Sequence, residues 1–267
     1  MTFVEVKKLS FEYDNGYRAL DNISLSINSG ESVAIVGQNG AGKTTFVKML
    51  NGLLKPTEGT VLVDGWDTTE HTTAELSHKI GYVFQNPDDQ IFHSSVFDEI
   101  AFAPRTMNKD EESVDQIVQE VAQVCGLSTR LDDNPYDLPY SVRKFVAIAS
   151  VLTLNSQMII LDEPTAGQDK RGMQSIKNII DYLIQNGKSV ITITHDMEFT
   201  VQNFKRVVVM AQTKKIAEGS PEKIFWDLEI LKRARLMQPY VSQVALEIGL
   251  ENRVISIEDF VTAYSNR

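Results

Sequence analysis

The chain has 267 residues, of which 42% are hydrophobic, and a formal net charge of −10 at pH 7. This length suits one large α/β domain or a core with a small satellite, and the acidic balance disfavours nucleic acid as the main partner. It also disfavours adhesion to an anionic membrane by charge alone. No apolar run reaches the roughly 18 residues that span a bilayer, so we predict no transmembrane helix. The N-terminal residues lack a signal-peptide pattern and the single Cys125 lies in an apolar stretch, so we expect a cytoplasmic protein in which this thiol packs in the core.

Short β-type runs and turns alternate in the first third of the chain, and a mostly helical stretch follows at about 86–155. The predicted strands of this part are Val4–Val6, Ile23–Ile27, Val33–Val36, Val61–Val63 and Ile80–Phe84. The predicted helices are Lys43–Leu53, Glu111–Cys125 and Ser141–Leu154.

Strands return in the second half and give way to helices after Gly219. We predict strands at Met158–Leu161 and Val190–Thr194, a helix at Met173–Gln185, and a hairpin of Val207–Met210 with Lys214–Ala217. Ser220-Pro221-Glu222 and the pair Ser256 and Asp259 predict two helix starts. The expected organisation is an α/β domain at 1–219, with a helical subdomain at about 86–155, and a helical extension at 220–267.

A glycine-rich loop lies between the strand at Val33–Val36 and the helix after it. It fits the phosphate-loop pattern G-x-x-x-x-G-K-[ST] with Gly37, Gln38, Asn39, Gly40, Ala41, Gly42, Lys43 and Thr44. Glycines let main-chain N–H groups approach phosphate oxygens, and the helix N-terminus adds partial positive charge. We expect Lys43 to reach the β and γ phosphates of a nucleotide, Thr44 to bind Mg²⁺, and Thr45 to add a hydrogen bond. The alternative, a chance glycine-rich turn, would not need both matching flanks.

Two carboxylates, Asp162 and Glu163, end the apolar run Met158–Leu161. The C-terminal ends of parallel strands form the ligand-binding edge of such a sheet. We expect Asp162 to hold Mg²⁺ through water, and Glu163 to orient or deprotonate an attacking water. The alternative is that the two carboxylates are simply solvated at the end of a strand. Pro164-Thr165 and the phosphate loop argue against this alternative.

These residues resemble the ATP-binding cassette (ABC) family from about Val4 to about Phe225. Leu161-Asp162-Glu163-Pro164-Thr165 matches the family's hydrolysis strand. The resemblance implies a P-loop NTPase fold with an antiparallel β subdomain, a helical subdomain, and ATP and Mg²⁺ as cofactors. It implies four further roles: adenine stacking for Tyr13, Mg²⁺ sensing for Gln85, a switch role for His195, and a loop crossing to the opposite subunit at Asp169. Alone, each of these residues has an ordinary structural explanation.

A narrower resemblance covers Gly81–Phe92 and Val96–Phe102, which look like the ATPase subunits of energy-coupling factor transporters. It implies a peripheral subunit on the cytoplasmic face of the membrane, with a transmembrane coupling protein and a substrate-binding membrane protein for vitamins or metal ions as partners. We expect Asp88 and Asp89, with Ile91 and Phe92 as an apolar wall, to line a groove for a basic coupling helix. The extension after Gly219 is expected to help dimerisation.

The family's signature loop, L-S-G-G-Q, is altered. At the position of this loop, upstream of Val146, the chain has Leu138-Pro139-Tyr140-Ser141-Val142. In the family this loop faces the γ-phosphate of ATP on the other subunit, whereas Pro139 has neither N–H nor hydroxyl and Tyr140 adds bulk. Ser141 is left as a candidate helix cap. We therefore predict a heterodimer with a second cassette whose signature loop is intact. A tolerated variant, a soluble cassette outside transport, and a non-hydrolysing regulatory cassette remain alternatives.

Overall fold

The computed structural model describes residues 1–250 and 253–265. Its strands are β1 (Thr2–Glu12), β2 (Arg18–Asn28), β3 (Ser32–Val36), β4 (Glu58–Val63), β5 (Trp66–Asp67), β6 (Ile80–Val83), β7 (Met158–Asp162), β8 (Ser189–Ile193), β9 (Arg206–Ala211) and β10 (Lys214–Gly219). Its α-helices are α1 (Lys43–Leu50), α2 (Thr73–Ser77), α3 (Val96–Thr106), α4 (Glu111–Cys125), α5 (Tyr140–Leu152), α6 (Lys170–Gln185), α7 (Met197–Asn203), α8 (Pro221–Phe225), α9 (Leu228–Ala234), α10 (Tyr240–Glu247) and α11 (Ile257–Ser265).

Two sheets organise the domain. The first is a four-stranded sheet in the order β2-β1-β4-β5, and its neighbouring strands are antiparallel. The second has the order β10-β9-β3-β8-β7-β6, in which β9 to β6 run parallel and β10 is antiparallel to β9. The α/β class, the antiparallel subdomain and the predicted hairpin of β9 and β10 are thereby confirmed.

The central sheet has a hydrophobic core on each face. Alternate residues of β3 point to opposite sides: Val33 and Ile35 pack toward the antiparallel sheet, whereas Ala34 and Val36 pack toward the helices. Strands β3, β7 and β8 are buried along almost their whole length because helices or the other sheet cover both faces. Consequently the polar residues that follow these strands collect at one edge.

Helices α3, α4 and α5 pack on one another within the stretch predicted to be mostly helical. Helix α4 begins at the side-chain cap Asp110 and ends at Gly126, whose φ of +70° suits a glycine after a helix. Its buried residues, including Val114, Val118 and Cys125, recur at helical spacing and face the core. The packing role predicted for Cys125 agrees with its burial, which also raises the pKa of its thiol to about 12.

Most predicted boundaries differ from those of the structure, and three of the differences concern elements next to predicted site residues. Helix α1 ends at Leu50 rather than Leu53, because Gly52 takes a left-handed φ of +75° and turns the chain. Strand β6 ends at Val83 rather than Phe84. Helix α5 begins at Tyr140 with Pro139 at the cap position and no side-chain cap bond, so the idea that Ser141 caps this helix is wrong.

Four short helices, α8 to α11, follow β10. The predicted capping at α11 is present, because Asp259 Oδ2 accepts from the Ser256 N–H at 3.0 Å and Ser256 Oγ accepts from the Asp259 N–H at 3.1 Å. Ser220 precedes α8 as predicted, but its side chain makes no cap bond. Residues 251, 252, 266 and 267 of the predicted extension lie outside the described residues. Within the described ranges, no helix combines the length and apolarity needed to cross a membrane.

Candidate active site

The phosphate loop connects β3 to α1 at the edge where β3, β7 and β8 end. Two of its glycines admit no side chain: a Cβ on Gly37 would lie 2.1 Å from the Met210 carbonyl oxygen, and one on Gly42 would lie 2.5 Å from that of Ala19. Gly42 and Gly40 also have left-handed φ values of +95° and +78°. The loop therefore depends on glycine for both its path and its close packing.

Lys43, the first residue of α1, lies across this loop. Its ammonium donates to the carbonyl oxygens of Gly37 at 2.7 Å and Gln38 at 3.1 Å, and the residue is 7% exposed. Burial lowers the pKa of Lys43, and the negative charges of Glu163 and Asp162 oppose that shift. Lys43 is thus a cation held at the loop within the field of two carboxylates.

Asp162 ends β7 and is buried. Its Oδ2 accepts from the hydroxyls of Tyr82 at 2.8 Å and Thr44 at 2.9 Å. Its Oδ1 is buried without a hydrogen-bond partner among the described residues, which fits a carboxylate that completes its bonding with a cation or its water. Burial raises the pKa of Asp162, while the two hydroxyl bonds act in the opposite direction. A carboxylate and a hydroxyl are oxygen ligands of the kind Mg²⁺ uses.

Glu163 occupies a left-handed turn immediately after β7, with φ +49°. Its Oε2 lies 2.7 Å from Nδ1 of His195, which follows β8. The Glu163 side chain is 6% exposed and that of His195 is 65% exposed, so the pair joins a buried carboxylate to a solvent-facing imidazole. With Nδ1 engaged by the carboxylate, Nε2 is the ring nitrogen that is left for another partner.

A cavity of about 330 Å³ brings most of these groups together. It is lined by Asn39, Gly40, Gly42, Lys43, Thr44, Thr45, Gln85, Glu163 and Ile193. The lining does not include the predicted site residues Gly37, Gln38, Ala41, Asp162 and His195. Tyr13 stands beside the cavity: its hydroxyl lies 3.1 Å from that of Thr45, and the side chain remains partly exposed.

None of residues 138–142, the altered signature segment, lines this cavity, and the segment packs on its own chain. The Tyr140 hydroxyl donates to the Gln85 carbonyl at 3.4 Å, and a Cβ on Gly167 would meet the Tyr140 ring at 3.3 Å. The Gln168 amide donates to the Ser141 carbonyl at 3.0 Å. Asp169 is exposed and accepts from the Gly172 N–H at 2.8 Å, so it caps α6.

The acidic turn after Gln85 differs in part from its prediction. Asp88 pairs with Arg143 of α5 at 3.1 Å, and Asp89 accepts from the Asn86 side chain at 3.2 Å. Ile91 is 3% exposed and belongs to the core, so its prediction as a groove wall is wrong. Phe92 is exposed and its ring meets that of Phe102 edge-on, with centroids 5.0 Å apart.

Four polar residues support the site and escaped the sequence analysis. Tyr82 binds Asp162, and Lys144 donates to the Glu163 carbonyl at 2.5 Å. Gln90 connects the Phe84 N–H to the Ala147 carbonyl, and buried Glu99 accepts from the N–H groups of Phe92 and His93. The available signal was a polar group within an otherwise apolar run, as at Tyr82.

The fold and the site define a P-loop ATPase. Residues 20–166 match the family described as ABC transporter, and the chain belongs to that family. A Pyrococcus furiosus protein, named provisionally as an ABC transporter ATP-binding protein, is 43% identical over 97% of this chain and 98% of its own length. The energy-coupling factor transporter ATP-binding protein EcfA2 of Methanospirillum hungatei is 38% identical over 92% of this chain, which spans 62% of that relative.

Solved structures give the same assignment. CbiO1 of Clostridium perfringens, described as part of the ABC transporter complex CbiONQ, superposes with a TM-score of 0.79 and 31% identity, covering 92% of this chain and 96% of that one. A dimeric cassette in a post-hydrolysis state with ADP and phosphate gives a TM-score of 0.75 and 27% identity, covering 82% of this chain and 98% of that one. The predicted fold class is confirmed, and the chain is an ABC-type ATPase subunit of a transporter.

Proposed function

We propose that this chain is the ATP-hydrolysing subunit of an energy-coupling factor importer, which powers uptake of a vitamin or metal ion through membrane partners. The names of the EcfA2 relative and of CbiO1 support the importer class. The segment Gly81–Phe102, by which the sequence resembles those subunits, supports it independently. The subunit would bind peripherally at the cytoplasmic face of the membrane.

The observation that carries the proposal is the meeting of Lys43, Thr44 and Glu163 in one cavity, with Asp162 directly behind Thr44. Lys43 and the loop N–H groups would hold the phosphates of ATP, and Tyr13 would contact its adenine. Thr44, Gln85 and Asp162 would hold Mg²⁺, which supplies charge neutralisation for the transferring phosphoryl group when bound.

Glu163 would take the proton of the attacking water or orient that water. Its burial beside a cavity that opens to solvent places a carboxylate at a water-accessible wall. His195 would hold that carboxylate through the 2.7 Å contact. These roles require only groups that the fold already brings into contact.

Glu163→Gln tests the proposal directly. In the assembled complex, the variant should bind ATP with about the wild-type affinity and lose single-turnover hydrolysis by about 10²-fold or more. Lys43→Ala is the matched comparison, because it should weaken nucleotide binding itself by removing a charged hydrogen-bond donor worth about 1.5–3 kcal/mol. Single-turnover hydrolysis and equilibrium binding of a fluorescent ATP analogue measure the two effects separately. Unchanged hydrolysis in Glu163→Gln would refute the proposed role.

The importer assignment has its own test. Affinity purification of the chain from its native membranes should recover a second cassette, a transmembrane coupling protein and a small substrate-binding membrane protein. Recovery of a transporter in which each cassette pairs with a large permease of another class, or of no membrane protein, would contradict it.

A further inference from the structure

Lys144 is a buried lysine on the first turns of α5. Its side chain reaches under the turn that follows β7, where its ammonium donates to the main-chain carbonyl of Glu163 at 2.5 Å. The residue is 3% exposed, and none of the ion pairs found among the described residues includes it. The nearest aromatic face is that of Tyr140, whose ring centre is 5.7 Å from the ammonium.

A buried ammonium without an ion-pair partner is costly, because water is lost and only part of the lost solvation is replaced. Burial lowers the pKa of Lys144 to about 8, and the charges of Glu163 and Asp162 oppose that shift. A methionine would fill the same space without this cost. The contact with the Glu163 turn is therefore the feature that distinguishes a lysine here from an apolar side chain.

The turn that Lys144 contacts is a strained one. Glu163 has a left-handed φ of +49°, which non-glycine residues adopt only when their surroundings hold them there. Its N–H donates to the Ile193 carbonyl at 2.9 Å, and its carbonyl accepts from Lys144. Both main-chain groups of Glu163 are thus held, which fixes the point from which its side chain starts toward the cavity.

Helix α5 is also connected to two other parts of the molecule. Tyr140 donates to the Gln85 carbonyl, and Arg143 pairs with Asp88 in the turn after β6. Tyr140, Arg143 and Lys144 all belong to α5, and Lys144 is the one of the three that contacts the Glu163 turn. A shift of α5 relative to the sheet would therefore act on the Glu163 turn through Lys144.

We propose that Lys144 is a positioning residue for Glu163: its bond to the Glu163 carbonyl holds the carboxylate in its productive direction and makes hydrolysis sensitive to the placement of α5. The inference rests on the proposed function of Glu163.

Lys144→Met tests it, because methionine keeps the length and removes the donor. In the assembled complex, single-turnover hydrolysis should fall about 10- to 100-fold, the effect of a misplacement of about 1 Å. The affinity for a fluorescent ATP analogue should stay within about twofold, since the phosphate loop is untouched. Lys144→Arg, which keeps the charge and the donors, should recover most of the rate. If Lys144→Met is too unstable to assay, Lys144→Arg is a second variant on which the effect of this side chain can be measured.

A double variant separates positioning through Glu163 from a general structural effect. Added to Glu163→Gln, Lys144→Met should change the residual hydrolysis rate by less than about twofold, because residues that act as one unit are not additive. A structural lesion would instead multiply the two losses. Lys188→Met is the matched control: Lys188 donates to the Asn155 carbonyl at 2.9 Å, away from the site, and its loss should leave the rate at the wild-type level.

The outcomes separate the inference from the proposed function. If Glu163→Gln slows hydrolysis and Lys144→Met leaves it at the wild-type rate, the positioning role is wrong and the proposed function stands. Multiplying effects in the double variant, or equal losses in Lys144→Met and Lys144→Arg at full nucleotide binding, would also overturn it. If Glu163→Gln leaves hydrolysis unchanged, the proposed function is wrong, and the positioning role that rests on it is wrong with it.

Discussion

Asp162 illustrates, at the scale of a single residue, how a site can oppose stability. One of its oxygens accepts two hydroxyl bonds and the other has none, although the carboxylate is buried. The pKa of Asp162 is raised, so its ionised form is less favourable in the folded chain than in the unfolded one. The group is therefore suited to a cation that arrives with the nucleotide rather than to the isolated fold.

Asp162→Asn should stabilise the chain without nucleotide or Mg²⁺ at pH 7. The folded pKa lies above 3.8, so the cost of ionising Asp162 is absent below the unfolded pKa and grows as pH rises through the folded value. A net gain of about 1 kcal/mol would raise the melting temperature by about 2–4 °C. Thermal unfolding in chelator-containing buffer, at pH 7 and again near pH 4, measures it. An equal gain at both pH values would contradict this cause.

The site residues at the strand ends could be predicted from the sequence, whereas the residues that support them could not. Lys43, Thr44 and Asp162 could be placed together because parallel strands β3 and β7 end at one edge. Tyr82 and Lys144 contact the site through packing between elements 80 and 19 residues apart in the chain, and spacing carries no information on such contacts. The roles of Glu163 and His195 stay predictions, although their 2.7 Å contact is what those roles require.

Among the elements, the long periodic ones were predictable and the short ones were not. Helix α4 and strands β7 and β8 have continuous patterns, and their predicted positions agree with the structure to within a residue or two. The missed helices, α2, α3 and α7, are short or interrupted: α2 has one turn defined by the capping box of Thr72 and Glu75, and α3 contains Pro104.

The contact between Asp88 and Arg143 refines the predicted coupling groove. Asp88 is already paired within the chain, whereas exposed Asp89 accepts only an amide bond within the described part of the chain. Asp89 is thus the carboxylate with more capacity for a basic partner helix, and Phe92 and Phe102 supply an exposed apolar surface nearby.

Asp89→Lys should reduce both recovery of the membrane partners and transport, and leave ATP binding in place. The cause would be repulsion of a basic coupling helix at a partly desolvated contact. Quantified co-purification and uptake assays measure it. Glu58→Lys, a charge reversal at an exposed position of β4 in the other sheet, is the control. Wild-type assembly by Asp89→Lys would count against the groove.

A charge swap resolves the part played by Asp88. Asp88→Arg combined with Arg143→Asp restores the internal ion pair while it reverses the charge in the turn. If the membrane partner binds through the negative charge at this position, the double variant should assemble with it as poorly as Asp88→Arg alone. Full rescue by the swap would mean that Asp88 acts only by pairing with Arg143.

At the scale of the whole molecule, the described C-terminal helices leave an apolar face uncovered. Ile257, Val261 and Tyr264 recur at helical spacing on α11 and are 73%, 57% and 59% exposed. A surface of this kind is typical of contact with another protein. It supports, without testing, the prediction that the extension at 220–267 helps to hold two cassettes together.

The working unit should be a heterodimer with unequal sites. In this chain, Pro139 and Tyr140 replace residues that would face the partner's ATP, and Tyr140 packs instead against Gly167 of its own chain. Two copies would therefore impair each other's sites.

A partner with an intact signature loop should restore the site built on Lys43, Asp162 and Glu163, while the site on the partner's phosphate loop stays slow. Preorganised donors aimed at developing charge are each worth about 10²–10³ in rate, so the loss of several leaves one dominant site. Glu163→Gln should thus abolish most turnover of the complex, and the equivalent change in the partner should have a small effect. Steady-state hydrolysis by complexes carrying one change at a time measures the asymmetry. A purified homodimer of this chain that hydrolyses ATP as fast as the complex would overturn it, as would equal losses from the two changes.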